Sequence, residues 1–130
     1  MEKIVKKYLG IDWGEVRIGL ALGDDENKIA VPLSVVNGLE EILAIIKKEE
    51  IDEVVVGEPL AMISSELVNK KRYSAFIGSL QDNTSLPIHT IDERLTSKAA
   101  DALAGDKKTK AARDAIAAML ILQSFFDSQT

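Results

Sequence analysis

The alternation of residue types between positions 16 and 23 constrains the fold of this chain more than any other segment. Apolar side chains occupy every second position, namely Val16, Ile18, Leu20 and Leu22. The positions between them carry mostly small residues, namely Arg17, Gly19, Ala21 and Gly23. A period of two is typical of a β-strand, and a face of small residues allows a helix to approach the strand closely. The segment therefore predicts a strand that a helix covers at short distance.

Two strands are predicted to accompany this one, over residues 4–11 and 28–36, so that the first three strands form an antiparallel meander. The short, fully apolar run over residues 54–57 predicts a buried parallel strand, and residues 87–92 are predicted to form another short strand. Helices are predicted over residues 38–50, 65–80, 96–103 and 111–126. This order implies an α/β fold with a mixed five-stranded sheet, made of the antiparallel three-strand meander plus two parallel strands, with helices on both faces.

Length and composition exclude several classes of protein. The chain has 130 residues, of which 46% are hydrophobic, and this predicts a single domain over residues 1–130. It has no cysteine, which excludes disulfides, zinc–thiolate sites and iron–sulfur clusters. No apolar run reaches the roughly 18 residues of a membrane span, and residues 1–7 lack the apolar core of a signal peptide. We therefore expect a cytoplasmic protein that has no membrane partner.

The net charge of −5 argues against a surface uniformly suited to nucleic acid, because a polyanion needs local positive charge. Two basic clusters weaken this objection. The first contains Lys70, Lys71 and Arg72, and the second contains Lys107, Lys108, Lys110 and Arg113. Solvated helix ends and loops explain such clusters equally well, but the second cluster lies directly before Asp114, an acid that is itself a candidate metal ligand.

Acidic residues stand at the ends of three predicted elements, where they could meet around a divalent cation. Asp12 ends the first strand. Asp114 begins the last helix, and the residues that share its face are apolar, namely Ala117, Ala118, Ile121 and Phe125. Asp114 is therefore predicted to face the sheet, where an unpartnered carboxylate costs several kcal/mol in lost hydration. A metal ion would relieve that cost.

The third acid is one of two adjacent residues, Asp92 and Glu93, at the end of the last predicted strand. Adjacent strand positions point to opposite faces, so only one of the two can join Asp12 and Asp114 directly. Glu93 shares a face with His89 and Ile91, whereas Asp92 shares the other with Ile88 and Thr90. The periodicity leaves this choice open.

Ligand chemistry narrows the kind of site. Oxygen ligands without cysteine or a histidine cluster suit Mg²⁺ or Mn²⁺ rather than zinc, and the sole histidine, His89, fits a strand residue near the core. The turn Asp12-Trp13-Gly14 suggests an alternative, because sugar kinases and actin-like ATPases cradle phosphate on a similar turn. Those enzymes close a second domain over the nucleotide, for which 130 residues leave no room. Phosphotransfer on a nucleotide is therefore the weaker hypothesis.

Four blocks of the chain are similar to a known family. Residues 9–14, followed by 17–21, resemble the opening strand pair of the YqgF/RuvX family, the Holliday junction resolvase-like proteins also described as pre-16S rRNA nucleases. Three further blocks match in order, at residues 54–60, 92–97 and 114–122. Trp13, Glu58 and the segment 63–65 depart from the family pattern, and Glu58 adds negative charge near the expected substrate path. None of these departures removes a candidate acid.

The resemblance implies an RNase H-like fold and assigns an acidic triad. Asp12, Glu93 and Asp114 would be the catalytic residues and the ligands of Mg²⁺ or Mn²⁺, which favours Glu93 over Asp92. Arg17 and Arg94 fall at basic motif positions of the family and are expected to contact phosphate, the alternative being that each anchors a carboxylate. The residues expected to offset phosphate charge beside the site are Lys107, Lys108, Lys110 and Arg113.

The resulting hypothesis is a metal-dependent endonuclease that hydrolyses phosphodiester bonds in structured nucleic acid, with the end of pre-16S rRNA as the first expected substrate. One alternative is a Holliday junction resolvase that acts on branched DNA. Another is a factor that binds RNA or DNA without cutting it. A resolvase would need a homodimer to make paired cuts, whereas an RNA nuclease could act as a monomer, and the sequence leaves this open.

Overall fold

A mixed β-sheet lies at the centre of the computed structural model, which describes residues 4–14, 16–58, 67–92 and 110–129. Its strands are β1 (Lys7–Asp12), β2 (Ile18–Asp24), β3 (Val31–Val36), β4 (Glu53–Glu58) and β5 (Ile88–Asp92). The helices of the described ranges are α1 (Leu39–Lys48), α2 (Leu67–Asn83) and α3 (Lys110–Ser128). The predicted helix over residues 96–103 lies outside the described residues.

The strand order is β3-β2-β1-β4-β5. The pairs β1–β2 and β2–β3 are antiparallel, whereas β1–β4 and β4–β5 are parallel. Parallel neighbours require a crossover, and α1 and α2 lie in the connections that lead into β4 and out of it. The predicted mixed five-stranded α/β sheet is therefore confirmed. One consequence is that β1, β4 and β5 have their C-terminal residues at the same end of the sheet, its carboxyl edge.

Both faces of the sheet are covered by helices. On one face, side chains of β1 and β4 pack with Ile42 of α1 and with Tyr73 and Leu80 of α2. On the other face, Tyr8 and Val55 pack against α3. Val54, Val55 and Val56 of β4 are completely buried, and a fully buried side chain of this size contributes roughly 1.5–3 kcal/mol. The short valine run is thus a central strand with apolar contacts on both faces, as the sequence predicts.

The third strand begins later than the sequence predicts. Residues 28–30 were expected to be extended, but β3 starts only at Val31, and Lys28 has a positive φ of 55°. Gln123 of α3 holds this turn, because its Oε1 accepts a hydrogen bond from the Ala30 amide and its Nε2 donates one to the Lys28 carbonyl oxygen. The backbone groups that a longer strand would have paired are therefore satisfied by a helix side chain. No helix within the described ranges is long and apolar enough to span a membrane.

A charged and aromatic cluster lies at the edge where β1 and β4 begin. The Glu53 side chain is only 13% exposed, and its Oε1 lies 2.6 Å from His89 Nε2. Its Oε2 lies 3.4 Å from the Lys6 ammonium nitrogen, and Tyr8 belongs to the same end of the sheet, where its ring packs against Phe125 and Phe126. The His89 ring also stacks on Phe125 of α3, with ring centroids 4.9 Å apart. His89 is thus part of a packed cluster that joins β1, β4, β5 and α3.

Burial raises the pKa of Tyr8 above its usual 10.0, and the negative charge of Glu53 adds to that effect. The folded chain then keeps the phenolic proton to a higher pH than the unfolded chain does. The stability that Tyr8 contributes should be complete below about pH 10 and should be lost as the pH rises towards the folded pKa. In Tyr8→Phe this loss is absent. Urea unfolding of both chains from about pH 8 to about pH 11 should show that the unsubstituted chain loses stability relative to Tyr8→Phe above about pH 10. A difference that stays constant would contradict the prediction.

Candidate functional site

Carboxylates collect at the edge of the sheet where the parallel strands end. Asp12 is the last residue of β1, Glu58 the last of β4 and Asp92 the last of β5. The β4–β5 register pairs Glu58 with Asp92. In open α/β sheets, the crevice outside the carboxyl ends of the strands is where ligands bind. We therefore expect the functional site at this edge.

The register shows towards which face Asp12 projects. Asp12 pairs with Gly19 of β2, and residues directly opposite each other project to the same face. Two positions before Asp12, a Cβ placed on Gly10 would lie 2.8 Å from the Leu122 Cβ, so this face of β1 contacts α3. Asp12 therefore projects to the α3 face, with Tyr8 and Gly10.

The first turns of α3 lie directly on β2. A Cβ placed on Gly19 would overlap the carbonyl oxygen of Asp114, so at this position the strand accepts only a glycine beneath the helix. Since Gly19 is also the cross-strand partner of Asp12, the backbone of Asp114 lies over the strand next to Asp12. The structure thus brings Asp12 and Asp114 to the same face and the same end of the sheet.

Arg17 forms an ion pair with Asp114. Its Nε donates a hydrogen bond of 2.9 Å to the carboxylate Oδ2. The Asp114 side chain is 17% exposed and that of Arg17 is 39% exposed. The cost of placing a carboxylate on the buried face of α3 is therefore offset by a guanidinium that comes from another part of the chain. The sequence left two roles for Arg17, a contact to phosphate and the anchoring of a carboxylate. The contact with Asp114 is of the second kind.

Asp92 lies on the opposite face from Asp12 and Asp114. Ile91 packs in the α3 cluster and His89 stacks on Phe125, whereas Ile88 packs in the cluster of α1 and α2. Strand alternation therefore places Asp92 with Ile88 and away from α3. Within the described ranges, Asp12 and Asp114 are the acids placed on the α3 face of this edge, and no set of three potential metal ligands occurs there.

Several residues of the predicted site lie outside the described part of the chain. These are Glu93, Arg94, Lys107 and Lys108. Lys110 begins α3, but its side chain is likewise outside that part, and Arg113 is exposed on α3 beside Asp114. The roles assigned to these six residues stay predictions.

Trp13 and Glu58 belong to the same edge, on the face covered by α2. The Trp13 ring lies 5.8 Å from the ring of Tyr73 and 6.3 Å from that of Phe76, and these contacts fix the turn that follows Asp12. Glu58 is exposed and lines a cleft of about 240 Å³ together with Tyr73 and Thr90. The sequence marked both positions as departures from the family pattern without indicating these contacts, because an aromatic cluster across two elements has no local signature.

Residues 6–128 match the model of the RuvX family, described as Holliday junction resolvase. The chain belongs to the RuvX family. Its relatives include a protein of Maridesulfovibrio salexigens named "Putative pre-16S rRNA nuclease", which is 35% identical over 130 residues, with 92% of this chain and 96% of that protein covered. A protein of the same name from Anaeromyxobacter sp. is 37% identical over 134 residues, with 95% and 98% covered.

Solved structures support the same fold for this RuvX family member. Thermus thermophilus RuvC in complex with a Holliday junction substrate matches with a TM-score of 0.63 at 17% identity, with 95% of each chain covered. The Fowlpox virus resolvase in complex with Holliday junction DNA matches with a TM-score of 0.57 at 11% identity, with 95% of this chain and 98% of that chain covered. At these identities the likeness shows the fold alone. The RNase H-like fold implied by the sequence resemblance is confirmed.

The contact between Gly19 and Asp114 predicts that a side chain at position 19 destabilises this RuvX family member. Gly19→Ala forces α3 away from β2, and overpacking of this kind should lower the free energy of unfolding by about 1–3 kcal/mol, measured by urea denaturation. The matched control is Gly78→Ala in α2, where an added Cβ meets nothing within 4 Å. That variant should be unchanged or up to about 1 kcal/mol more stable, because alanine favours helix over glycine. Equal effects of the two substitutions would contradict the proposed role of Gly19.

Proposed function

We propose that this chain is a metal-dependent endonuclease that cuts structured RNA at the end of the 16S rRNA precursor. The enzyme class, a nuclease that hydrolyses phosphodiester bonds, follows from its place in the RuvX family. The observation that carries the proposal is that Asp12 and the backbone of Asp114 lie on one face at the carboxyl edge of an RNase H-like sheet.

The residues at this edge fit a divalent cation. Asp12 and Asp114 offer carboxylate oxygens, the ligand type that Mg²⁺ and Mn²⁺ prefer in proteins. The Asp114 carboxylate pairs with the Arg17 guanidinium, so a positively charged group fits beside this partly buried carboxylate. In this proposal Glu93 supplies the third carboxylate. A divalent cation held by these carboxylates would supply Lewis acidity, which activates water and offsets negative charge on the leaving oxygen.

The protein's own residues position the reacting groups. Asp12 is fixed at the end of a central strand, and Asp114 is fixed by the backbone contact of α3 with Gly19. Arg113 is exposed next to Asp114 on α3, and positive charge there would offset the charge of a bound phosphate. We infer the same role for Arg94, Lys107, Lys108 and Lys110. These charges would compensate locally for the net charge of −5.

RNA is the first candidate substrate, because the relatives that cover nearly the whole chain are named for pre-16S rRNA. The solved complexes with Holliday junctions come from proteins that are only 17% and 11% identical to this chain. At these identities the similarity is evidence for the fold alone. The description of the family as Holliday junction resolvase keeps branched DNA as the second candidate substrate.

The central test is Mn²⁺-dependent cleavage of two substrates, an RNA that spans the 16S precursor end and a synthetic four-way DNA junction. Asp12→Asn should lower RNA cleavage by at least about 100-fold, because it removes a proposed metal ligand, while RNA binding is retained. The control is Asp82→Asn, the same chemical change at an exposed position near the end of α2. It should cleave like the unsubstituted chain.

Each other result of this test has a definite meaning. If only the junction is cut, the enzyme is a DNA resolvase. If neither substrate is cut while RNA binding persists, the protein is a non-catalytic binding factor. If Asp12→Asn cleaves as fast as the unsubstituted chain, the proposed site is wrong.

The basic segment before Asp114 can be tested through the salt dependence of RNA binding. Replacing Lys107 and Lys108 together by glutamine should weaken binding and reduce the slope of log K against log[salt] by about 0.7–0.9 for each phosphate that is no longer neutralised. The matched control replaces Lys47 and Lys48, which are exposed in the last turn of α1 near the opposite edge of the sheet. That double variant should keep the original slope. An equal effect in both double variants would show general charge attraction instead of a local contact.

A further inference from the structure

Arg17 stands where three parts of the proposed site meet. Its side chain pairs with Asp114 of α3, and its backbone precedes β2. A Cβ placed on Gly14 would lie 2.5 Å from the Arg17 carbonyl oxygen, so the turn that follows Asp12 lies directly against Arg17. The backbone of Arg17 is therefore fixed beside both acids, whichever direction its side chain takes.

The side chain of Arg17 is partly exposed, whereas its backbone packs closely against the turn at Gly14. It reaches Asp114 through Nε at 2.9 Å, and the side chain is 39% exposed. The preceding residue, Val16, is 75% exposed, so this segment lies at the surface. A guanidinium carries five N–H donors, and those on its two terminal nitrogens suit a phosphate through paired hydrogen bonds. The geometry allows the guanidinium to exchange one anionic partner for another without displacement of the backbone.

We propose that the Arg17 guanidinium neutralises the Asp114 carboxylate when no metal ion is bound. When a metal ion binds Asp114, a phosphate of the nucleic acid accepts the guanidinium instead. This inference rests on the proposed nuclease function. A guanidinium and a divalent cation that share one carboxylate repel each other, and the repulsion is strong in a partly buried site. A phosphate relieves it by accepting the guanidinium. Metal and nucleic acid therefore bind cooperatively, and Arg17 is a positioning residue that couples them.

This role predicts the opposite sign from simple structural support. If Arg17 merely held Asp114 in place for the metal, its removal would weaken metal binding. If Arg17 competes with the metal for Asp114, removal of its charge strengthens the binding of metal alone. The affinity for Mn²⁺ without nucleic acid therefore separates the two roles, independently of any cleavage.

The experiment measures Mn²⁺ affinity by electron paramagnetic resonance, first alone and then with a phosphorothioate RNA hairpin that resists cleavage. Arg17→Gln should bind Mn²⁺ alone about tenfold more tightly than the unsubstituted chain, and the hairpin should raise its Mn²⁺ affinity less. Arg17→Lys keeps the charge and should stay close to the unsubstituted chain in both measurements. Unchanged or weaker Mn²⁺ binding by Arg17→Gln overturns the proposal.

Two further measurements keep the outcome clear. In the unsubstituted chain, the Arg17 Nε–H resonance should shift when Mg²⁺ and the hairpin are added together, and a resonance that stays in place overturns the proposal even if Arg17→Gln does not fold. Asp114→Asn should lose Mn²⁺ binding. If the unsubstituted chain binds Mn²⁺ no better than Asp114→Asn, the metal site itself is wrong. If binding depends on Asp114 but does not rise in Arg17→Gln, only the role of Arg17 is wrong.

Discussion

The close approach of α3 to the small-residue face of β1 and β2 is the contact on which the rest of the candidate site depends. Gly10, Gly19 and Gly23 each lie where a Cβ would press on α3. Glycine in a strand costs roughly 0.5–1 kcal/mol relative to alanine, and the apolar face of α3 offsets that cost by complete burial of residues such as Ile121 and Leu122. The short distance between helix and sheet places the backbone of Asp114 over the cross-strand partner of Asp12.

The two ends of α3 have different physical characters. Near its C-terminal end, Phe125 and Phe126 pack around Tyr8, and His89 and Glu53 complete a cluster of rings and charges. Near its N-terminal end, backbone atoms of α3 contact the sheet, and the partly buried pair of Arg17 with Asp114 lies beside them. The helix is anchored by the aromatic end and by its apolar face. A change of partner at the polar end therefore leaves the anchoring contacts in place.

The sequence predicted those parts of the structure that depend on periodicity. The small residues at alternate positions of β2 indicated a closely packed helix, and the valines of β4 indicated a buried strand, because both signals are local. The ion pair of Arg17 with Asp114 joins residues 97 positions apart, so the sequence left it only as an alternative. The start of β3 was misplaced since a side chain from α3, Gln123, satisfies the preceding turn. Such tertiary contacts override local patterns.

The dependence of the acidic pair on α3 also has a consequence for the order of folding. The meander of β1, β2 and β3 is formed by contacts between neighbours in sequence, which generally assemble quickly. We therefore expect Asp12 to reach its position on the sheet early, and Asp114 to reach its position only when α3 docks across the paired strands. During synthesis the nascent chain carries one half of this acidic pair until α3 has left the ribosome. A nuclease built in this way completes its candidate metal site only after the sheet beneath it has formed.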